Sequence, residues 1–322
     1  MATYSSHTLT DADIASVDTS LELSELSQFA TIAYSSLPTT FIFENLTLLT
    51  KPDFPLDGYN GLKESVLLSA IRGKVANLSA YVAYRPNTKQ LVVAISGTSN
   101  VKQALQDLGT LKHKHPAGGG CAVHAGFWRM YQGIEPEIIS TVEKGLHDHD
   151  VAELVLTGHS LGGALSHLLA IDLLSPGSLE LPPGLRLKLA VFGSPRSGNA
   201  QMLQFWLNLV KEYRIKNGEE SLKEFSVKAF NDGKYIQSSV NYNNTDRPTG
   251  VPSLPPKSFG FRHFTSHPLY LIQGRLYHTP ASESEFCLFH VSTEHERGRT
   301  PLYPLGMLVC ACLHCLLLIP LV

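Results

Sequence analysis

The sequence predicts an α/β fold, a mostly parallel central sheet with helices on both faces, and three observations carry that reading. Short apolar runs at residues 91–96 and 154–157 are of the kind that fills a strand buried on both sides, and 187–192 and 225–230 also read as strands. Stretches of helical periodicity lie between them, and strand alternating with helix is the pattern of a parallel sheet. The stretch 161–174 is apolar nearly all round, as a helix buried against such a sheet has to be.

Along the chain, Thr19 to Glu22 fits a capping box, and Leu23, Leu26, Phe29, Ala30 and Ala33 follow at helical spacing. Residues 78–85 alternate like a strand, and Pro86-Asn87-Thr88 turns the chain into 91–96. Helices are expected over 131–147, 161–174 and 200–214, and a late hairpin pairs 269–272 with 275–278 around Gln273-Gly274. With 43% apolar residues in 322, there is material for one large α/β domain. The expected organisation is an N-terminal helical segment, 1–75, packing on a domain over 76–304, followed by an apolar tail, 305–322.

Lys plus Arg number 26 and Asp plus Glu 28, a net charge of −2, which removes the electrostatic footprint of a nucleic-acid binder. Five cysteines in a chain this long are no disulfide framework. Cys310, Cys312, Cys315 and His314 crowd into the apolar tail, and no metal is expected there. The polar start, Met1 to Asp18, lacks the apolar stretch of a secretory signal. A cytoplasmic protein is therefore expected, with the sequons at Asn45, Asn77 and Asn243 unused. The alternative is membrane association through 305–322, a run without Asp, Glu, Lys or Arg at the short limit for a span.

The sharpest chemical feature is Gly158-His159-Ser160-Leu161-Gly162-Gly163, set between the run at 154–157 and the apolar helix after it. A G-x-S-x-G between strand and helix is a nucleophile elbow: the turn is tight enough to need glycine on either side and lifts the serine hydroxyl clear of the sheet. Acyl transfer also needs donors aimed at the developing oxyanion. One is the backbone N–H of Leu161, at a helix N-terminus that favours negative charge. The other is Thr98, in Ser96-Gly97-Thr98 at the end of the strand over 91–96.

Taken in order, these motifs resemble the class 3 (fungal-type) lipases of the α/β-hydrolase fold. Val92 to Thr98, Val123-His124-Ala125-Gly126-Phe127 and Thr157 to Ala164 carry the resemblance. So do Phe192-Gly193-Ser194-Pro195-Arg196-Ser197-Gly198-Asn199, Val251-Pro252-Ser253-Leu254-Pro255-Pro256 and Phe259-Gly260-Phe261-Arg262-His263. The resemblance implies a carboxylic ester hydrolase, a serine lipase acting on acylglycerols through an acyl-enzyme, with a Ser/Asp/His triad in that chain order. It further implies no cofactor, a lipid or other ester as substrate at a lipid–water interface, and no obligate protein partner. It also places a mobile lid after the oxyanion strand, where Val101, Ala104, Leu105, Leu108 and Leu111 form an apolar stripe. His124, His159 and His263 lie inside the matched motifs, where the family has structural residues.

Two departures from the pattern bear on the site. The family's acid leads straight into the Val-Pro-x-Leu-Pro-Pro segment, whereas here Asn231-Asp232-Gly233 and Val251 are separated by 234–250, which holds a second acid, Asp246. Asp232 is preferred as the triad acid because it sits at a strand end, with Asp246 as the alternative. The family's base has a His-x-x-aromatic setting, which none of His290, His295 and His314 has, so the base stays open between His295, His290 and none. If none serves, the alternative is a catalytically impaired hydrolase-fold protein that binds acyl chains. Gly233-Lys234-Tyr235 and Gly306-Met307-Leu308 can be encoded by runs holding intron donor sequences. Both 234–250 and 305–322 are accordingly read as translated intron.

Overall fold

Eight strands form one sheet whose spatial order is the order of the chain. They are β1 (Val66–Arg72), β2 (Ser79–Arg85), β3 (Gln90–Ile95), β4 (Glu153–His159), β5 (Arg186–Phe192), β6 (Leu222–Ala229), β7 (Leu269–Ile272) and β8 (Arg275–His278). The structure is a computed structural model that describes residues 8–75, 78–98, 111–229, 251–265, 268–272, 274–278 and 290–291. Strands β1, β2 and β3 pair antiparallel, β3 to β7 run parallel, and β8 turns back on β7. The sequence expectation of a mostly parallel sheet holds.

Both faces of the sheet are covered, which explains why β3 reads as an apolar run over Leu91–Ile95. Leu91, Val93 and Ile95 of β3 face one cluster, while Val92 and Ala94 face the other. The first cluster is closed by α2 (Ala125–Gln132), α3 (Glu135–Asp148), α4 (Leu161–Leu174) and α5 (Ala200–Asn217). The second is closed by α1 (Val17–Ile32), through Leu23, Leu26, Phe29 and Ala30. A leucine buried this fully contributes about 1.5–3 kcal/mol relative to an exposed one. The two clusters thus set the sheet at the centre of the molecule.

Several local expectations change. Helix α1 is capped by Ser16, whose Oγ accepts from the Thr19 amide at 3.1 Å, so the helix starts before the capping box expected at Thr19. The single helix expected over 131–147 is two helices, α2 and α3, parted at Gly133 and Ile134. Pro136 has no N–H to donate and so starts a helix rather than continuing one. Strand β1 escaped the sequence reading because a bulge between Leu67 and Ser69 breaks its alternation, and as the edge strand it leaves Val66 exposed. A ribbon pairing Lys112–Lys114 with Ala122–His124 also went unseen. Among the described residues no helix is long and apolar enough to cross a membrane. The tail 305–322 and the stretch 234–250 lie outside them.

Candidate active site

The sheet delivers Ser160 at the C-terminal end of β4, as the residue capping α4. Its backbone sits at φ 56° and ψ −125°, a conformation that any residue but glycine adopts under strain, at a cost of about 1–3 kcal/mol. The surroundings over-determine it. The Ser160 amide donates to the Phe192 carbonyl at 2.8 Å, and the Ser160 carbonyl accepts from the Gly163 amide at 3.0 Å. A Cβ on Gly158 would lie 2.5 Å from the Gly162 carbonyl carbon, and one on Gly162 would overlap the Ile95 carbonyl oxygen. Only glycine lets the turn close this tightly, which is the physical content of the motif.

That contact with Ile95 also brings the end of β3 beside the elbow. Ser96 anchors it to β2, donating its amide to the Ser79 carbonyl and accepting the Ser79 amide on Oγ at 2.9 Å. A Cβ on Gly97 would stand 3.2 Å from the Leu161 nitrogen, so the turn leading into half-buried Thr98 abuts the N-terminus of α4. The first amides of a helix have no partner within it, and a nucleophile placed there faces donors suited to an oxyanion. Ser160 itself is buried, and among the described residues its Oγ has no hydrogen-bond partner. A buried hydroxyl in that state costs about 1–3 kcal/mol, a condition Ser160 shares with Ser65 and Ser221; what distinguishes Ser160 is its strained turn at a helix N-terminus.

The three histidines inside the motifs are otherwise engaged. His124 is fully buried and caps α2, Nδ1 accepting from the Phe127 amide at 3.4 Å with the rings stacked. Burial lowers His159 to about 4, although the residue keeps some exposure, and its Nδ1 lies 3.0 Å from the Tyr34 hydroxyl. His263 is held well below the usual histidine range, first by burial and then by the nearby cations Lys228 and Arg196. Behind the elbow, His167 lies against the Gly163 carbonyl through Nδ1 at 3.0 Å and faces Glu224 at 3.5 Å.

Of the residues the sequence singled out, Thr98, Ser160 and Leu161 come together. Asp232, Asp246, His295 and His314 lie outside the described residues. His290 is described only in backbone, in a two-residue strand pairing with Thr8–Leu9 rather than with the central sheet. Of the lid stripe, Leu111 alone is described, and it is 72% exposed. Strand β6 ends at Ala229, and the proline segment resumes with Arg196 donating to the Leu254 and Pro255 carbonyls. Since the Gly193 amide donates to Val227, both flanks of 230–250 converge on the loop after β5. Among the described residues no group of three or more His, Cys, Asp or Glu could hold a metal. The residue that sequence reading missed is Tyr34, whose contact with His159 spans the chain and leaves no local signal.

Residues 92–224 match the family model described as Lipase (class 3). The chain is 27% identical over 215 residues to a secreted mono- and diacylglycerol lipase 1 of Fusarium solani, covering 65% of this chain and 52% of that protein. It is 30% identical over 169 residues to a secreted mono- and diacylglycerol lipase A of Penicillium cyclopium, covering 52% of each. The chain thus spans about half the length of these curated relatives. Among solved structures, a fungal lipase–inhibitor complex superposes with a TM-score of 0.63 at 19% identity, covering 93% of this chain and 98% of that one. The fold it shares is that of a lipase. The relatives also correct the cytoplasmic expectation: they are named as secreted proteins, which points outside the cell, and the expectation had rested only on the polar character of Met1 to Asp18.

Proposed function

The chain belongs to the class 3 lipase family, and from that premise we propose that it is a serine carboxylic ester hydrolase that cleaves acylglycerols outside the cell. The observation that carries the reading is Ser160: strained, buried, without a partner for Oγ among the described residues, and set at a helix N-terminus at the C-terminal end of a parallel strand. Ser160 attacks the ester carbonyl while a histidine base takes its proton and passes it to the departing alcohol, and the amides of Thr98 and Leu161 hold the tetrahedral oxyanion. The acyl-enzyme is then released by water. Asp232 orients the base, with Asp246 as the alternative acid. The convergence of both flanks of 230–250 on the loop after β5 supports an acid in that stretch. The division into 1–75, 76–304 and 305–322 belongs to the same reading.

Labelling by a fluorophosphonate together with hydrolysis of p-nitrophenyl esters tests it. The wild-type chain is expected to label and turn over, and the Ser160→Ala chain to do neither. A wild-type chain that labels no faster than the variant would overturn the reading, because a serine without its base reacts poorly. For the acid, Asp232→Asn is expected to lower kcat far more than Asp246→Asn, and the reverse order would transfer the role.

A further inference from the structure

Tyr34 belongs to none of the motifs, lies in the turn that follows α1, and reaches the elbow from the opposite face of the sheet. Its hydroxyl donates to the His159 carbonyl at 2.9 Å and lies 3.0 Å from His159 Nδ1. One proton serves one acceptor, so with the carbonyl taking it, Nδ1 carries the hydrogen that the phenol oxygen accepts. A Cβ on Gly97 would overlap the same oxygen. The phenol is therefore wedged between the turn that leads to Thr98 and the peptide that leads to Ser160.

That peptide is gripped at both ends. Its carbonyl, from His159, accepts from Tyr34, and its N–H, from Ser160, donates to Phe192 at 2.8 Å. Rotation of this one plane would change φ of Ser160, which stands at 56°, and with it the direction of Oγ. We propose that Tyr34 is a positioning residue for acyl transfer, fixing the His159–Ser160 peptide and its distance from the oxyanion turn. The inference rests on Ser160 being the nucleophile. Among the described residues the Tyr34 hydroxyl bonds to His159 and not to Ser160, so it acts through the geometry of the reacting group. Misplacement of such a group by about 1 Å costs on the order of 100-fold in rate.

The test is steady-state hydrolysis of p-nitrophenyl butyrate by Tyr34→Phe, with active sites counted by fluorophosphonate titration. The expected result is a fall in kcat of about 10-fold or more, smaller than the loss of an oxyanion donor itself, with KM within twofold. Affinity for a boronic acid that mimics the tetrahedral state should fall by the same factor as kcat. Should Tyr34→Phe fail to fold, 3,5-difluorotyrosine at position 34 keeps the shape and ionises below tyrosine's ~10, after which it has no proton to donate. Its kcat should then drop at a lower pH than that of the wild type. An unchanged kcat per titrated site, or a rise in KM alone, would overturn the positioning role while leaving Ser160 as nucleophile. A wild-type chain that neither labels nor turns over would instead remove the reaction on which the proposal rests.

Discussion

The two ends of the parallel strands differ in how their polar groups are treated. At the N-terminal end the buried charges Glu153, Lys188 and Arg85 are paired. Glu153 opens β4 and bonds Lys188 of β5 at 2.9 Å, Lys188 also bonds Glu22 of α1, and Arg85 joins Gln90 to Glu25. Burial, the largest influence on Glu153, raises its pKa, but Lys188, Gln90 and Arg186 together hold it below the ordinary value. At the C-terminal end the chain does the opposite: a serine in a strained conformation, a hydroxyl without a partner among the described residues, and a histidine kept neutral by burial. One end ties α1 across the sheet through paired charges, and the other holds a serine in a strained turn. Since the buried Ser65 and Ser221 hydroxyls, beside the starts of β1 and β6, also lack partners among the described residues, an unsatisfied hydroxyl alone does not mark the chemical end. What sets the carboxyl end apart is the strained turn at a helix N-terminus, as expected of α/β sheets whose sites lie beyond the carboxyl ends.

The comparison breaks first at Ser160. Ser160→Ala should lower ester hydrolysis by about 10⁴-fold or more, with a melting temperature equal to or above that of the wild type, since the hydroxyl removed is buried and has no partner among the described residues. Calorimetry beside the rate assay checks both halves, and a strong loss of stability would mean the serine belongs to the structural end after all. Next comes Gly162→Ala. With its Cβ overlapping the Ile95 carbonyl oxygen, the variant should lose about 4 kcal/mol or more, read by urea unfolding, or fail to fold.

At the other end, Lys188→Met should cost about 3–5 kcal/mol, because it leaves Glu153 buried without its main counter-charge. Adding Glu153→Leu should restore most of that loss. In both variants kcat per folded molecule should stay within twofold of wild type. A large fall in kcat would show that the two ends are coupled.

The smallest effect is that of pH. His159, lowered from 6.5 to about 4, binds fewer protons folded than unfolded between those values. Its stabilising contribution is complete above about 6.5 and is lost as pH falls toward 4. His115 and His263 shift in the same direction, so their contributions also decline on acidification below the ordinary histidine value. Glu153, depressed from 4.5, adds its loss only at lower pH still. Thermal melts from pH 7.5 to 4.5 should therefore show a decline before the charged end titrates, and a flat profile over that range would refute the assignment.

How much of this was readable beforehand follows from the range of the interactions. The hairpin of β7 and β8 and the apolar helix α4 were found at their true bounds, because their signals are short-range periodicity. The elbow was legible as a motif, and the need for glycine at 158 is set by Gly162 and Gly163 in the same turn, whereas that at 162 comes from the Ile95 carbonyl on β3 and shows only in the folded chain. Lys188, which the sequence reading passed over, interrupts the strand at 187–192, and nothing local to it names Glu153 or Glu22 as its partners. The cap at Ser16 and the break before Pro136 were missed because competing local rules were satisfied nearby.

By itself, then, the sequence determined the order and kind of the elements, the parallel sheet, and the serine in its turn, all of which depend on backbone sterics and on periodicities of two and 3.6 residues. Only the tertiary structure decided which polar groups find partners. Whether a histidine is neutral, whether a hydroxyl is satisfied, and whether a phenol from the turn after α1 grips the peptide before Ser160 depend on distances between segments far apart in the chain. Those distances exist only once the sheet has closed, because burial and hydrogen-bond geometry belong to the assembled core and to no single stretch of it.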